Sequence, residues 1–195
     1  MTMFTLLDIH THDPSRINSA IINITPDDEI IPDAIHSVGI HPWHTTKATS
    51  ETLSRLETLC ANPQVVAIGE AGLDALKGGD LNAQTELFIK QIELSETFQK
   101  PLIIHAVKTH QQIIALRKQM RPSQPWIIHG FRGKPQLAQT LLQQGFYISL
   151  GEKFNPDTAT IIPDDRLLFE SDESLLPIDV IISCIHFIRL SLIHI

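Results

Sequence analysis

Cysteine is scarce in this sequence: Cys60 and Cys184 are the only two among 195 residues. Two thiols are too few for the disulfide framework on which small secreted domains depend, so a reducing compartment, the cytoplasm, is the expected setting. No secretory leader is expected, because Met1-Thr2-Met3-Phe4 carries no basic residue and Asp8 interrupts the apolar run early. Positive charge is in deficit. Fifteen Lys and Arg stand against 22 Asp and Glu, a formal net charge of −7, which excludes a protein that coats nucleic acid through its overall field but leaves room for a local basic rim. No membrane span is expected: residues 180–195 are apolar but too short, and too polar at His186, Arg189 and His194, for the roughly 20 residues a spanning helix needs. A composition of 43% hydrophobic and 19% charged residues excludes a disordered, collagen-like or coiled-coil chain. What is abundant is histidine, with ten residues.

Apolar or β-branched runs recur at residues 4–10, 19–24, 37–41, 65–69, 102–105, 126–129, 146–150 and 167–169, giving eight expected strands. They are nearly continuous rather than alternating, as strands buried on both faces of a parallel sheet require. Leu53, Leu56 and Leu59 step by three, Phe88 and Ile92 by four, and Leu137, Leu141 and Leu142 share one face, so helices are expected after strands three to six. Gly145 stands where a helix C-terminal cap belongs, and Pro63 and Pro101 mark the other helix-to-strand turns. This alternation predicts an α/β fold of the TIM-type (β/α)8 barrel kind. Such barrels usually take about 250 residues, so a chain of 195 is expected to be a shortened one. The missing parts are expected early, since Asp13-Pro14 leads straight into the second strand and Pro26 and Pro32 leave no room for a full helix after it. With no linker or repeat visible, residues 1–195 are expected to form a single hydrolase-type barrel domain.

His10 and His12 flank one residue at the end of the first strand, so alternation of side chains sends both imidazoles to one face, with Asp8 beside them. Two nearby histidines alone are more often surface or hydrogen-bonded residues than ligands. Their company decides the matter: Glu70 ends the fourth strand run, His105 the fifth, His129 the sixth and Asp172 the eighth. In α/β barrels the active site lies at the C-terminal ends of the strands, which brings such residues to one place whatever their separation in sequence. Four imidazoles with two carboxylates suit borderline divalent ions, and a shared carboxylate can bridge two of them, so one or two divalent ions, Mg, Mn or Zn, are expected.

The ordered set of motifs resembles the TatD family of metal-dependent hydrolases and deoxyribonucleases. Asp8-Ile9-His10-Thr11-His12 is similar to the family's D-x-H-x-H, Gly39-Ile40-His41-Pro42 to its G-x-H-P, and Gly69-Glu70-Ala71-Gly72-Leu73-Asp74 to its G-E-x-G-L-D. Pro101 to His105 resembles P-x-x-I-H, His129 to Gly133 resembles H-x-F-x-G, Tyr147 to Gly151 resembles Y-x-S-x-G, and Glu170-Ser171-Asp172 resembles E-T-D. The resemblance implies that His10, His12 and Asp172 bind one metal, that His105 and His129 bind a second, and that Glu70 bridges them. It further implies hydrolysis of DNA phosphodiester bonds, as an exonuclease on single-stranded ends, with Asp172 orienting the attacking water and His41 as a helper facing the site. The alternative for His41 is a histidine that only fixes the Pro42 turn.

Two departures from the family pattern stand out. The arginine expected two residues after His105 is replaced by Val107, with Lys108 following; Lys108, Arg132, Lys134 and Lys153 after the strand ends would form a basic rim for phosphate. A lysine supplies a point charge but not a bidentate fork. Residues 177–195 are apolar where a charged amphipathic helix is expected, as in an atypical or truncated C-terminal segment; a mostly buried helix with a polar stripe of Ser183, His186 and Arg189 is one form it can take. His44 and His110 are read as surface residues. Trp43 and Trp126 are read as packing residues, with Trp43 also placed to stack on a base. Two other readings stay open: a related barrel hydrolase acting on an amide, lactone or small phosphoester, and a catalytically weak copy that acts as a binding protein. DNA or another phosphodiester is the expected partner, with no membrane and no obligatory protein partner.

Overall fold

A computed structural model describes residues 8–17 and 19–192. Eight strands follow in chain order: β1 (Asp8–Thr11), β2 (Ala20–Ile24), β3 (Ile35–Val38), β4 (Val65–Asp74), β5 (Leu102–Val107), β6 (Trp126–Ile128), β7 (Tyr147–Leu150) and β8 (Leu167–Phe169). Six helices accompany them: α1 (Ser50–Cys60), α2 (Leu81–Phe98), α3 (His110–Met120), α4 (Pro135–Gln143), α5 (Pro156–Ala159) and α6 (Ile178–Leu192). This is the expected α/β architecture of the TIM-type (β/α)8 barrel, with helices after β3 to β6. Only a single 3-10 turn, Pro14–Arg16, separates β1 from β2, and no helix separates β2 from β3. The part of the first expected strand before Asp8 lies outside the described residues.

Two compact units divide the chain, one of Met1–Ile22 with Ile128–Ile195 and one of Asn23–Ile127. In the first, β1 pairs with β2 and β7 with β8, all in parallel, and Thr11 bridges Asp172 just past β8. Phe146, Ile148 and Leu150 are fully buried there with Leu141 and Ile185. Proline opens α4, and its end is closed by the Gly145 N–H bonding the Leu142 carbonyl and the Phe146 N–H bonding that of Leu141, respectively the five-to-two and six-to-one bonds of a Schellman cap. The cap delivers Phe146 into the core at the start of β7.

In the second unit β3, β4 and β5 pair in parallel around buried Val38, Ile68, Leu73 and Ile103, and α2 buries Phe88 and Ile92 beside Trp126. Asp80 caps α2 by accepting the Ala83 N–H, and Thr49 caps α1 by accepting that of Thr52. β4 runs on through Asp74, so Glu70 lies inside the strand and not at its end as expected. Gly69 and Gly72 explain the extension. Both have positive φ, and a Cβ on either would lie 2.4 Å from the Ile103 carbonyl oxygen or 2.1 Å from that of His105, so only glycine lets β4 press against β5 through the register shift between Ile68 and Ala71.

Candidate metal centre

In the second unit, Glu70 is held from behind: its N–H donates to Asn23 Oδ1 at 2.7 Å, and the same oxygen accepts the Ser37 hydroxyl. Its carboxylate Oε1 meets His105 Nδ1 at 2.7 Å and His41 Nε2 at 3.2 Å. His41 lies beyond β3, where its Nδ1 accepts the Trp43 N–H and caps the turn Pro42–Lys47. Its Nε2 therefore carries the proton and donates to Glu70, so His41 both fixes the Pro42 turn and faces the site. His105, inside β5, has its other nitrogen 3.2 Å from Asp74 Oδ2. Asp74 is itself pinned by the Trp43 indole N–H and by the Leu76 and Lys77 N–H groups. Burial pushes the Asp74 carboxyl up, but those donors together with His105 outweigh it and hold the group below the ordinary carboxylate range.

Two buried glutamines of α2 fix the backbone beneath these side chains. Gln84 bonds both the N–H and the carbonyl of Asp74, and Gln91 does the same for Ile40. Both face the sheet at helical spacing and satisfy backbone groups that burial would otherwise leave costly.

In the first unit, the backbone on either side of Asp172 is stitched to β1: Asp172 N–H donates to the His10 carbonyl and His12 N–H to the Asp172 carbonyl. Ser171 donates its N–H and its hydroxyl to Asp8 at 3.0 and 2.7 Å. Burial pushes the Asp8 carboxyl up, and the Ser171 bonds offset that only in part. Asp8 thus lies near the two histidines as expected, but as an anchor for the Asp172 segment. Asp172 Oδ1 lies 3.9 Å from His10 Nε2 and 3.8 Å from His12 Nε2, and the rings of His10 and His129 are 4.6 Å apart. Glu170, wholly buried, accepts the Gly130 N–H at 2.7 Å and meets His129 Nδ1 at 3.3 Å. Burial pushes the Glu170 carboxyl up, but the charge and hydrogen bond of His129, with His10 and Ser149, hold it below its usual range. A cleft of about 420 Å³ opens beside Glu170 and Asp172, lined also by Arg132, Lys153, Leu175 and Leu176.

Donor atoms of His41, Glu70 and His105 lie within 4.8 Å of one another, as do those of His129, Glu170 and Asp172. A tetrahedral ion with bonds near 2.1 Å sets its donors roughly 3.4 Å apart, so small side-chain movements suffice in either group. The imidazole and carboxylate donors fit a divalent ion. The expected ligands of each unit therefore lie together within that unit. Lys108 is exposed at positive φ just after β5, while His110 is half-buried, not a surface residue as expected. Asn23, Asp74 and Glu170 received no role in the sequence reading, although Asp74 and Glu170 stand inside the quoted motifs.

The TatD related DNase family matches residues 15–177. The chain belongs to that family. A relative from Buchnera aphidicola, named as an uncharacterized metal-dependent hydrolase, is 36% identical over 149 residues, covering 72% of this chain and 56% of its own. A 3′-5′ ssDNA/RNA exonuclease TatD from Erwinia tasmaniensis is 31% identical over 156 residues, covering 74% of this chain and 60% of its own. The chain thus spans less than two thirds of the length of these TatD relatives. The crystal structure of YJJV, a TatD homolog from Escherichia coli K12, superposes with a TM-score of 0.73 at 25% identity, covering 84% of this chain and 77% of that one. A TatD family hydrolase from Entamoeba histolytica shares the fold with a TM-score of 0.70 at 20% identity, over 84% and 72% of the two chains. No helix among the described residues is long and apolar enough to cross a membrane.

Proposed function

We propose that this TatD family member is a cytoplasmic, metal-dependent deoxyribonuclease that trims single-stranded ends, with residues 1–195 acting as one hydrolase domain. The observation that carries the reading is the pair of imidazole–carboxylate clusters: Glu70 with His105 and His41 in one unit, Asp172 with His10, His12 and His129 in the other. His10, His12, Glu70, His105, His129 and Asp172 are the proposed ligands of one or two ions, Mg, Mn or Zn. Bound ions supply an activated water and neutralise charge on the phosphoryl oxygens.

The chain's own groups do the rest. Asp172, fixed on both sides by β1, orients the water and accepts its proton. His41 holds Glu70 through its Nε2 proton, while Asp74 and Glu170 keep His105 and His129 in position. Arg132, on the cleft beside Asp172, binds phosphate through its guanidinium fork, and Lys108, after β5, binds it as a point charge where Val107 stands in place of the family's arginine. The names of the TatD relatives support a 3′-5′ direction and a substrate range that includes RNA.

Metal-reconstituted protein incubated with labelled single-stranded DNA, single-stranded RNA and a generic phosphodiester, with and without chelator, tests this. Chelator-sensitive shortening of DNA from its 3′ end is expected. Hydrolysis of small esters or lactones without DNA cleavage would favour the related-hydrolase alternative, and binding without hydrolysis of any substrate would favour a binding protein.

A further inference from the structure

Trp43 and Trp126 are the two tryptophans, and the structure treats them oppositely: Trp126 is 0% exposed and Trp43 44%. Exposure alone means little, since single surface aromatics are common. What sets Trp43 apart is that its orientation is fixed beside the metal-binding cluster. Its indole N–H donates to Asp74 at 2.6 Å, and its backbone N–H donates to His41 Nδ1. Its ring centroid lies 4.7 Å from that of His41 and 6.0 Å from that of His105. The segment that follows β4 packs on the same turn, where a Cβ on Gly78 would stand 2.4 Å from the Pro42 carbonyl oxygen. That segment carries Leu76, 70% exposed, and Lys77, whose Nζ lies 4.1 Å from the centroid of the Trp43 ring.

We propose that Trp43 is a stacking platform for a nucleobase of single-stranded nucleic acid, with Lys77 as the cation that leaves the ring face and meets the adjacent phosphate. The inference takes its substrate class from the nuclease reading. A ring already locked by Asp74 and by the turn loses little freedom when a base arrives, so the contact is preorganised. Magnitudes favour the exchange. An exposed cation–π contact is worth about two- to fivefold in equilibrium terms, whereas a base stacked on an aromatic side chain is worth about five- to 150-fold per base. A stacked base would also cover the apolar face that Leu76 and Trp43 leave to water.

The test compares labelled oligothymidylate with an abasic strand of equal length, titrated into the full chain with chelator present so that no strand is cut. Fluorescence anisotropy should give about tenfold tighter binding of oligothymidylate, and only that strand should quench tryptophan emission strongly, because Trp43 is the accessible indole. Trp43→Leu should bring both strands to equal affinity. Trp43→Phe, which loses the bond to Asp74 but keeps a ring, should retain most of the preference. Melting curves confirm that each variant is folded. Equal affinity of the unmodified chain for both strands, or a preference that survives Trp43→Leu, overturns the platform. Absence of metal-dependent hydrolysis in a chain that still prefers bases overturns the nuclease reading and leaves the platform standing; base-blind binding with intact hydrolysis does the reverse.

Discussion

A buried carboxylate beside an imidazole has two possible uses, and burial separates them here. Asp172 is partly open to the cleft, whereas Glu170 is sealed, committed to the Gly130 N–H, and aimed at the His129 Nδ1. The first is placed to meet water and metal, the second to hold a ring. Glu70→Ala and Asp172→Ala should therefore cut metal-dependent hydrolysis by orders of magnitude in proteins that still fold, because each removes a proposed metal ligand. Wild-type rates in both purified variants would assign the activity elsewhere. Glu170→Gln should act more gently: an amide oxygen can still accept the Gly130 N–H, but the charge that steadies His129 is gone. Metal affinity measured by chelator competition should fall about 10- to 100-fold with little change in melting temperature. An unchanged affinity would reduce Glu170 to a packing role.

At the scale of elements, the helices are tied down by a few groups whose loss can be measured apart from activity. The Glu96 carboxylate, near the end of α2, accepts the Ser123 N–H and hydroxyl and the Gln124 N–H, fastening the segment before β6 to the helix. Burial pushes this carboxyl up, but these bonds and the charge of Arg117 outweigh it and hold it below its ordinary value. An acid with a depressed folded pKa binds protons more readily when unfolded, so it contributes stability above the ordinary carboxylate pKa and loses it as pH falls through the depressed value. Glu96→Gln should flatten the loss of stability on acidification in that range; an identical pH profile would show the cluster to be idle. α6 offers a second contrast. Ile181 and Ile185 are buried, while Phe187 is 70% exposed and Leu190 faces solvent, and Arg189 bonds the Ala159 and Ile162 carbonyls and Asp164. The helix is docked along one face and bare along another. Ile185→Ala should cost about 2–5 kcal/mol in denaturant unfolding, against roughly 0.5 kcal/mol or less for Phe187→Ser. Equal small effects would mean that α6 is not packed.

For the molecule as a whole, the −7 net charge would oppose the proposed polyanionic substrate at long range, leaving attraction to a few cations near the strand ends. Arg132 and Lys153 line the cleft beside Asp172, where a short screening length lets local sign outweigh the distant field. Metal binding should also register in global stability, since the proposed ligands in each unit come from more than one strand: β4 and β5 in one, and β1 with the segments after β6 and β8 in the other. An ion that binds only the folded chain adds about 2.7 kcal/mol at a hundred times its dissociation constant. Adding divalent ions to chelated protein should raise the melting temperature, and substituting Glu70 or Asp172 should shrink that rise. A melting temperature indifferent to metal in the unmodified chain would count against the proposed ligand set.

Much of this protein was decided by local pattern. Eight continuous apolar runs cannot be solvated on either face and so demand a parallel sheet; Gly145 and Pro135 bound α4 because of what their backbones allow; and the shortage of helices around β2 follows from Pro14, Pro26 and Pro32. The histidines and acids near strand ends were equally legible, since their positions relative to the runs can be read without coordinates. Only tertiary structure settled what each acid touches. Asp8 stands beside His10 in sequence yet serves Ser171; Glu70 lies within β4 because Gly69 and Gly72 let that strand press against β5; Asp74 and Glu170 became partners of His105 and His129 through contacts 31 and 41 residues apart in the chain. Spacing along a strand tells which face a side chain takes, but which hydrogen-bond donor occupies the space opposite is fixed by packing between segments, and local pattern carries no record of that.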